Sequence, residues 1–551
     1  MNQDRRLRKR LGCYYTPQDL ANALADWALA DADTAVLDPS FGGCAFFNAA
    51  WRVLESRGSE SPGQHIYGVD IDPEALAYVQ PLVDAGTDPR HFIIADFFEV
   101  RPGQFDRTSF GAVVGNPPYV RHHALDSVKC SKAAASLDKV GVQLTKRASY
   151  WAYFIVHSLE FLQPDGRLAF VLPGSLLHAD YADSLRSYLV ESFRHVAVLL
   201  IRERVFPDAQ EKAVVLLAEG FGQPNKGVSV LEVASVRAVP QVCATLPRSM
   251  VTTDSLSGDG GWLRPLLGKD TLDLLESIFA EPNVQRLGDH ADVHIGVVTG
   301  NNRFFIISRH RQEHICIPER DLKSVVPHAS LLKCLSFRDS DLDRLVSSGR
   351  EMLLISPDDP ASISPGLRKY ISAGQQICLD EATKCRSRNP WYSVPSTFVP
   401  HAFVPYMGSN WPRIILNQSH ATCTNAIHRL VWKEHVSDED AMRLALGSVS
   451  SLAQLSAELV GRSYGGGVLK LEPRGLRRLA IPAPSLKDPT RLSEVVDRLL
   501  RAGDMASATN IVDRAVLVES LGLSEPALRM IRSARDALRR NRSQAKESSP
   551  H

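Results

Sequence analysis

Residues 113–120 read VVGNPPYV, a β-branched run that ends in Asn116, Pro117, Pro118 and Tyr119. Two consecutive prolines lock the backbone and delete two N–H donors, which leaves the Asn116 amide oxygen and the Pro117 carbonyl as rigid acceptors. Acceptors held in this way suit an NH2 group, and the Tyr119 ring can stack on the planar ring that carries it. A proline-rich turn after a strand is the plainer reading, but it leaves the order Asn-Pro-Pro-Tyr unexplained.

Three acids upstream share one spacing rule. In VLDPSFGGCAFF, residues 36–47, a buried run ends in Asp38 and opens through Pro39, Ser40, Gly42 and Gly43 into a helix, so backbone N–H groups can approach a ligand at the helix N-terminus. In IYGVDID the next run ends in Asp70, followed by Ile71, and a carboxylate there can accept both hydroxyls of a ribose. In IIADFF a third run ends in Asp96 and Phe97, suited to an adenine amino group and its ring face. Each acid alone reads equally well as a turn or cap residue. Together they outline an adenosine cleft. A nicotinamide cofactor requires a GxGxxG turn with its acid about 20 residues on, and FGGCAF has neither, so S-adenosyl-L-methionine fits better.

The elements that must position these groups are visible in the hydrophobic rhythm. Helix-like segments at 19–29, 46–54, 74–83 and 153–162 alternate with apolar runs at 34–37, 65–69, 91–94, 111–114, 167–172 and 196–201. Such alternation predicts a parallel sheet with helices on both faces, whose ligands lie at the carboxyl ends of the strands. Past about residue 225 the rhythm gives way to Val-rich, Pro- and Gly-containing sequence, which predicts a catalytic domain over 1–225, a second domain over 226–490 and a basic helical tail over 491–551. The tail is expected to be a solvated helix with a frayed end.

Bulk properties exclude more than they assign. With 551 residues, 44% hydrophobic and 63 Lys plus Arg against 62 Asp plus Glu, the chain is an ordinary globular protein rather than a polycation. The N-terminus lacks the apolar stretch of a secretory signal, and the longest apolar runs fall far short of the roughly 20 residues that span a bilayer. Nine cysteines without a CxxC pair suggest free thiols in a reducing cytoplasm. His314, Cys316, His328 and Cys334 match no standard zinc spacing, so no metal is expected.

On these motifs the sequence resembles the γ-class adenine-N6 DNA methyltransferases of the TaqI type. The family's opening motif matches Tyr15, Thr16 and Pro17, whose threonine lies against the cofactor's methionine moiety in the family. The family's loop DPxCGxG is matched by DPSFGG, with Phe41 in place of the usual cysteine. The resemblance implies that Asp70 takes the ribose, Asp96 and Phe97 the cofactor's adenine, and Asn116 to Tyr119 the target amine. It places Phe154 near the cofactor and Phe206, in RERVFPDAQEKAVVLL, on the second face of a flipped base. Segments 294–307, 384–395, 422–430 and 461–473 are similar to parts of the family's specificity domains, with Arg303, Lys384, Arg386 and Arg388 as candidate DNA contacts. Gly465 to Gly467 either approach a phosphate or make a turn.

The resemblance implies an α/β fold, a Rossmann-like class I S-adenosylmethionine-dependent methyltransferase domain followed by a mixed α+β target-recognition domain. It implies methyl transfer to the N6 of a flipped-out adenine in double-stranded DNA. A monomer without membrane association is expected, and by analogy with the family a separate cognate restriction endonuclease; the dozen residues before YYTP leave no room for a fused one. A protein-glutamine or RNA methyltransferase using the same cradle is the alternative, and a non-catalytic DNA-binding module is a further one.

Overall fold

The computed structural model describes residues 15–119, 149–179, 182–206, 212–246, 261–464 and 467–543. The chain divides into two compact units, the first extending to Lys269 and the second spanning Asp270–Ser543.

The first unit is built on one eight-stranded sheet. Helix α1 (Gln18–Ala28) buries Leu20, Ala21, Leu24, Ala25 and Ala28, an apolar stripe at helical spacing. It is followed by β1 (Val36–Asp38), α2 (Ala45–Ser56), β2 (Ile66–Asp70), α3 (Leu76–Asp84), β3 (Phe92–Ile94) and β4 (Phe110–Gly115). Next come α4 (Tyr150–Leu159), β5 (Leu162–Pro173), α5 (Asp183–Ser192), β6 (Phe193–Ile201), β7 (Ala213–Phe221) and β8 (Gly227–Val233). The strand order is β3-β2-β1-β4-β5-β7-β6-β8. The pairs from β3 to β5 are parallel, and β7 lies antiparallel between β5 and β6. This is the doubly wound α/β arrangement expected from the alternating pattern.

The chain winds outward from β1 to β3 and then returns to the other side of β1 as β4, with Val36 opposite Ala112 and Leu37 opposite Val113. That reversal opens a crevice at the carboxyl ends of β1 and β4. Asp38 ends β1 and Asn116 follows β4, so both leading motifs flank the crevice.

The domain boundary lies later than the sequence suggests. Residues 222–226 are the connection into β8, which pairs with β6 from His195↔Gly227 to Ile201↔Val233. A short turn at Gly261–Leu267 then buries Trp262 in the core of the same unit. A Val-rich edge strand looks in the sequence like the opening of a new domain, because only its pairing reveals where it belongs.

The second unit is mixed α+β. Its largest sheet has five strands in the order Ala291–Ile295, Ile427–Trp432, Ala402–Pro405, Ile415–Gln418, Ser336–Arg338. The expected basic tail is corrected here. Helix Glu525–Ser543 buries Leu528, Ile531, Ala534 and Leu538, Arg532 pairs with the fully buried Asp513 at 2.8 Å, and Arg542 pairs with the buried Glu458 at 2.8 Å. Arg535 and Arg539 lie over the Trp411 ring at 4.9 and 4.5 Å. The basic residues tie the helix down instead of leaving it solvated.

Candidate active site

The crevice brings the predicted motifs together. Asp38 is 1% exposed and accepts the Ser40 N–H at 2.9 Å. Burial, reinforced by Asp70 and opposed by the Ser40 N–H, pushes its carboxyl up to about 8. One oxygen of Asp70 accepts the Gly42 N–H at 2.8 Å and the other the Asp72 N–H at 2.9 Å. The carboxylate thus folds the Gly42 turn over the end of β2 and keeps further lone pairs for a ligand. Burial also raises the Asp70 carboxyl above its ordinary value. Next to it Ile71 is 57% exposed, an apolar side chain at the mouth of the crevice.

Asn116 is joined to the loop after β1, because the Ser40 hydroxyl donates to the Asn116 carbonyl at 3.4 Å. Gly115 makes this approach feasible. A Cβ at that position would stand 2.9 Å from the Asp38 carboxylate, a separation that ordinary contacts do not allow. Sequence reading missed Gly115, although a glycine ending a buried strand was the available signal.

Phe41 is accommodated without filling the cleft. It is 3% exposed, and its ring turns inward onto Phe47 and Phe92 at 5.2 and 6.0 Å. Space for it exists because Gly68 lies beneath; a Cβ there would come within 2.8 Å of the Phe41 ring and 2.3 Å of Phe47. Cys44, the N-cap of α2, adopts a left-handed φ of +63° and is buried, and its thiol is pushed up to about 12 by burial and by the nearby acids.

At the start of α1, Thr16 is buried and the exposed Tyr15 ring rests against Gly43. Gln18 donates to the Ala45 carbonyl at 3.0 Å, docking α1 onto the same loop. Asp96 caps the turn Phe97–Glu99 by accepting the Phe98 N–H at 3.2 Å. The rings of Phe97 and Phe154 are buried and meet at 5.2 Å within an aromatic cluster. His157, which the sequence reading passed over, clasps this turn through the Phe97 and Val100 carbonyls at 3.0 and 3.1 Å. Burial holds its imidazole below the ordinary range.

Tyr119 and Phe206 are also brought together, at 6.3 Å and 77°. That is an edge-to-face contact between the rings themselves, not a pair of parallel faces with a gap between them.

Residues 3–234 match the family described as N-6 DNA Methylase, and residues 259–517 match the C-terminal domain of the Type II methyltransferase M.Eco57I. The Type II methyltransferase M.AccI of Acinetobacter calcoaceticus is 22% identical over 89% of this chain and 88% of its own length. M.XamI of Xanthomonas campestris pv. amaranthicola is 23% identical over 86% and 85%. Together the two family models span most of the chain, and with these relatives they identify a Type II DNA N6-adenine methyltransferase. The Type IIL restriction-modification enzyme MmeI, solved in complex with DNA, has a similar fold, with a TM-score of 0.55 at 10% identity over 93% of this chain and 73% of that one. The methylase cofactor is S-adenosyl-L-methionine, and the crevice fits it: strand-end carboxylates for hydroxyl and ammonium groups, an exposed Ile71 for a base face, and glycines where the backbone must come close.

In the second unit of the methylase the family-like segments converge. His294 and Ile295 pair with Arg429 and His428, and the His428 ring bonds the Leu471 carbonyl at 2.8 Å. Gly300 lies against Lys384 and Cys385, which brings Arg303, Lys384 and Arg386 into one exposed region. Arg388 is different. It donates to the Thr299 carbonyl at 2.8 Å and to the Val298 carbonyl at 2.5 Å and so braces that loop. Gly465 and Gly466 lie outside the described residues. No group of three or more His, Cys, Asp or Glu among the described residues could hold a metal ion, and no described helix is long and apolar enough to cross a membrane.

Proposed function

We propose that this methylase transfers a methyl group to the N6 of an adenine flipped out of duplex DNA, and that it does so as a cytoplasmic monomer protecting DNA from a separate cognate endonuclease. The observation that carries the reading is the junction at the crevice. Asn116 to Tyr119 leave β4 within hydrogen-bond reach of the Asp38 to Gly43 loop, so acceptor and donor sites share a wall. Asp70, with Ile71 beside it, receives the cofactor's adenosine; Asp38 and Thr16 receive its methionine end; Asp96 and Phe97 form the adenine side. Bound there, S-adenosyl-L-methionine supplies an electrophilic methyl on a sulfonium.

The chain's own contribution is at the amine. The lone pair of an adenine amine is delocalised into the purine, and it becomes nucleophilic when its two N–H groups are held by the Asn116 side-chain oxygen and the Pro117 carbonyl. Pro118 keeps that carbonyl rigid. Extraction from the stack costs a few kcal/mol, offset partly by stacking on Tyr119. Phe206 meets Tyr119 edge-on and buttresses that ring; it reaches the base's second face by turning. Arg303, Lys384 and Arg386 supply phosphate contacts. A glutamine or RNA acceptor is not favoured, because 259–517 match a DNA methyltransferase domain.

The test is incubation with the cofactor and unmethylated genomic DNA, followed by digestion and mass spectrometry for N6-methyladenine, with RNA and protein in parallel. N6-methyladenine in DNA alone is expected. Label on RNA or protein, or on none of the three, sinks the reading.

A further inference from the structure

One loop of the second unit is built to hold apolar side chains out in solvent. Pro395 and Pro400 bracket Ser396, Thr397, Phe398 and Val399. Phe398 is 38% and Val399 48% exposed; Ile295, whose carbonyl shares Arg429 with this loop, is 51% exposed, and Val298, three residues on, 37%. Scattered exposed aliphatics need no explanation, but a gathered set does. The scaffold beneath is rigid. Arg429 is 3% exposed, donates to the Ser396 carbonyl at 2.5 Å and hydroxyl at 3.1 Å, and bonds the Ile295 carbonyl at 2.8 Å. Its guanidinium lies 4.0 Å from the centre of the Phe398 ring, and His294 packs against the same ring at 5.5 Å. Lys323 donates to the Thr397 hydroxyl at 3.2 Å. Ser396 itself is held at φ +59°, a conformation a serine keeps only where its surroundings impose it.

We propose that the Ser396–Val399 loop enters the DNA duplex, with Phe398 stacking against bases as an apolar wedge and Val399 packing beside it. This rests on the duplex-DNA reading above and adds the element that penetrates. The occupant follows from charge. Arg303, Lys384 and Arg386 are exposed and none of the ion pairs among the described residues engages them. Lys384 is joined to the apolar set through Gly300, and Val298 and Thr299 through Arg388. An apolar projection beside free cations fits a polyanion with stacked, apolar bases inside, and fits an apolar protein face poorly. Wedges of this type unstack a base step, and a base stacked on an aromatic ring contributes about 1–3 kcal/mol. The guanidinium supports the ring from behind so that it does not fold back on contact.

The experiment uses the full chain and a duplex containing the methylation site, located beforehand by sequencing methylated DNA. 2-Aminopurine is placed in turn at each position of the site, and affinity is measured across a salt series. Two positions are expected to brighten with the unaltered protein, the flipped adenine and the wedge step. Phe398→Ala should lose the second signal and bind about 10- to 100-fold more weakly with an unchanged salt slope, whereas Arg386→Ala should lower that slope by about one. Phe398→Trp should restore both signal and affinity. Val399→Asp, which leaves the Arg429 stack intact, should weaken binding at least about tenfold. If Phe398→Ala and Val399→Asp bind and brighten like the unaltered protein while DNA is still methylated, the wedge is wrong and the methylase reading stands. If the unaltered protein methylates no DNA, both fall.

Discussion

At the scale of single residues, the two walls of the crevice are expected to fail in different ways. Asn116→Ala should reduce kcat by about 10²- to 10³-fold, the size of effect seen when one hydrogen-bonding group at a reacting atom is removed, while calorimetry shows cofactor affinity largely kept. Asp70→Ala should instead weaken cofactor binding by about 10- to 100-fold, since a charged hydrogen-bond acceptor contributes about 1.5–3 kcal/mol. Unchanged affinity would remove Asp70 from the ribose role. Asp38 gives a pH dependence. Its folded carboxyl is raised to about 8 from 3.8, so the folded state binds the proton more tightly and this contribution to stability is complete below about pH 4. It is lost as pH rises towards 8. Asp38→Asn should therefore gain in melting temperature over the unaltered protein between pH 5 and pH 8.5, and a constant difference would count against a buried neutral carboxyl. The strand-end positions of Asp38 and Asp70 were legible because the buried runs mark where each strand stops. Arg388 was not, since its partners are carbonyls 89 and 90 residues away and nothing in its neighbours' identity announces them.

At the scale of elements, the last helix is a structural member of the second unit. Arg542 and Glu458 are each 3% exposed, and Glu458 also accepts the Trp411 indole N–H at 2.9 Å. Arg542→Ala leaves a buried carboxylate short of its cation, and losing one partner of such a pair costs about 3–5 kcal/mol. Thermal unfolding of the second unit should drop by several degrees, and an unchanged midpoint would mean that the helix is not anchored there. In sequence the segment resembles a solvated tail because its cations outnumber its acids, and the acids that pair with Arg532 and Arg542 lie on other elements. Periodicity did better where the partner surface is the element's own sheet: apart from α5, which the pattern does not announce, the strands and helices from α1 to β6 lie within a few residues of their expected positions.

At the scale of the molecule, the boundary after Lys269 has a direct consequence. A fragment ending at residue 225 removes β8 and leaves β6 with an unpaired edge, as well as removing Trp262 from the core. A fragment ending at Lys269 keeps both. The longer fragment should be soluble and bind the cofactor, the shorter one should aggregate, and equal behaviour would contradict the assignment of β8 to the first unit. Composition could not show this, because glycines and prolines mark a connection equally well within a sheet or between domains. With a net charge of +1, the molecule as a whole has little field to steer DNA, so its salt dependence should reflect the few local cations.

The geometry at the N-cap of α2 also bears on oxidation. Where the family's loop usually carries a cysteine this chain has Phe41, and the Cys44 thiol that follows the loop is buried with its ionisation pushed up to about 12. Thiolate is the reactive form, so at neutral pH Cys44 has almost none to offer. Maleimide should label the exposed Cys316 and Cys378 and spare Cys44, with cofactor affinity unchanged after labelling; adduct at Cys44 in the folded protein would refute this. The loop proposed to receive the methyl donor is thereby insulated from electrophiles and peroxides at this position, and it keeps its shape where a thiol-bearing loop would need a reductant.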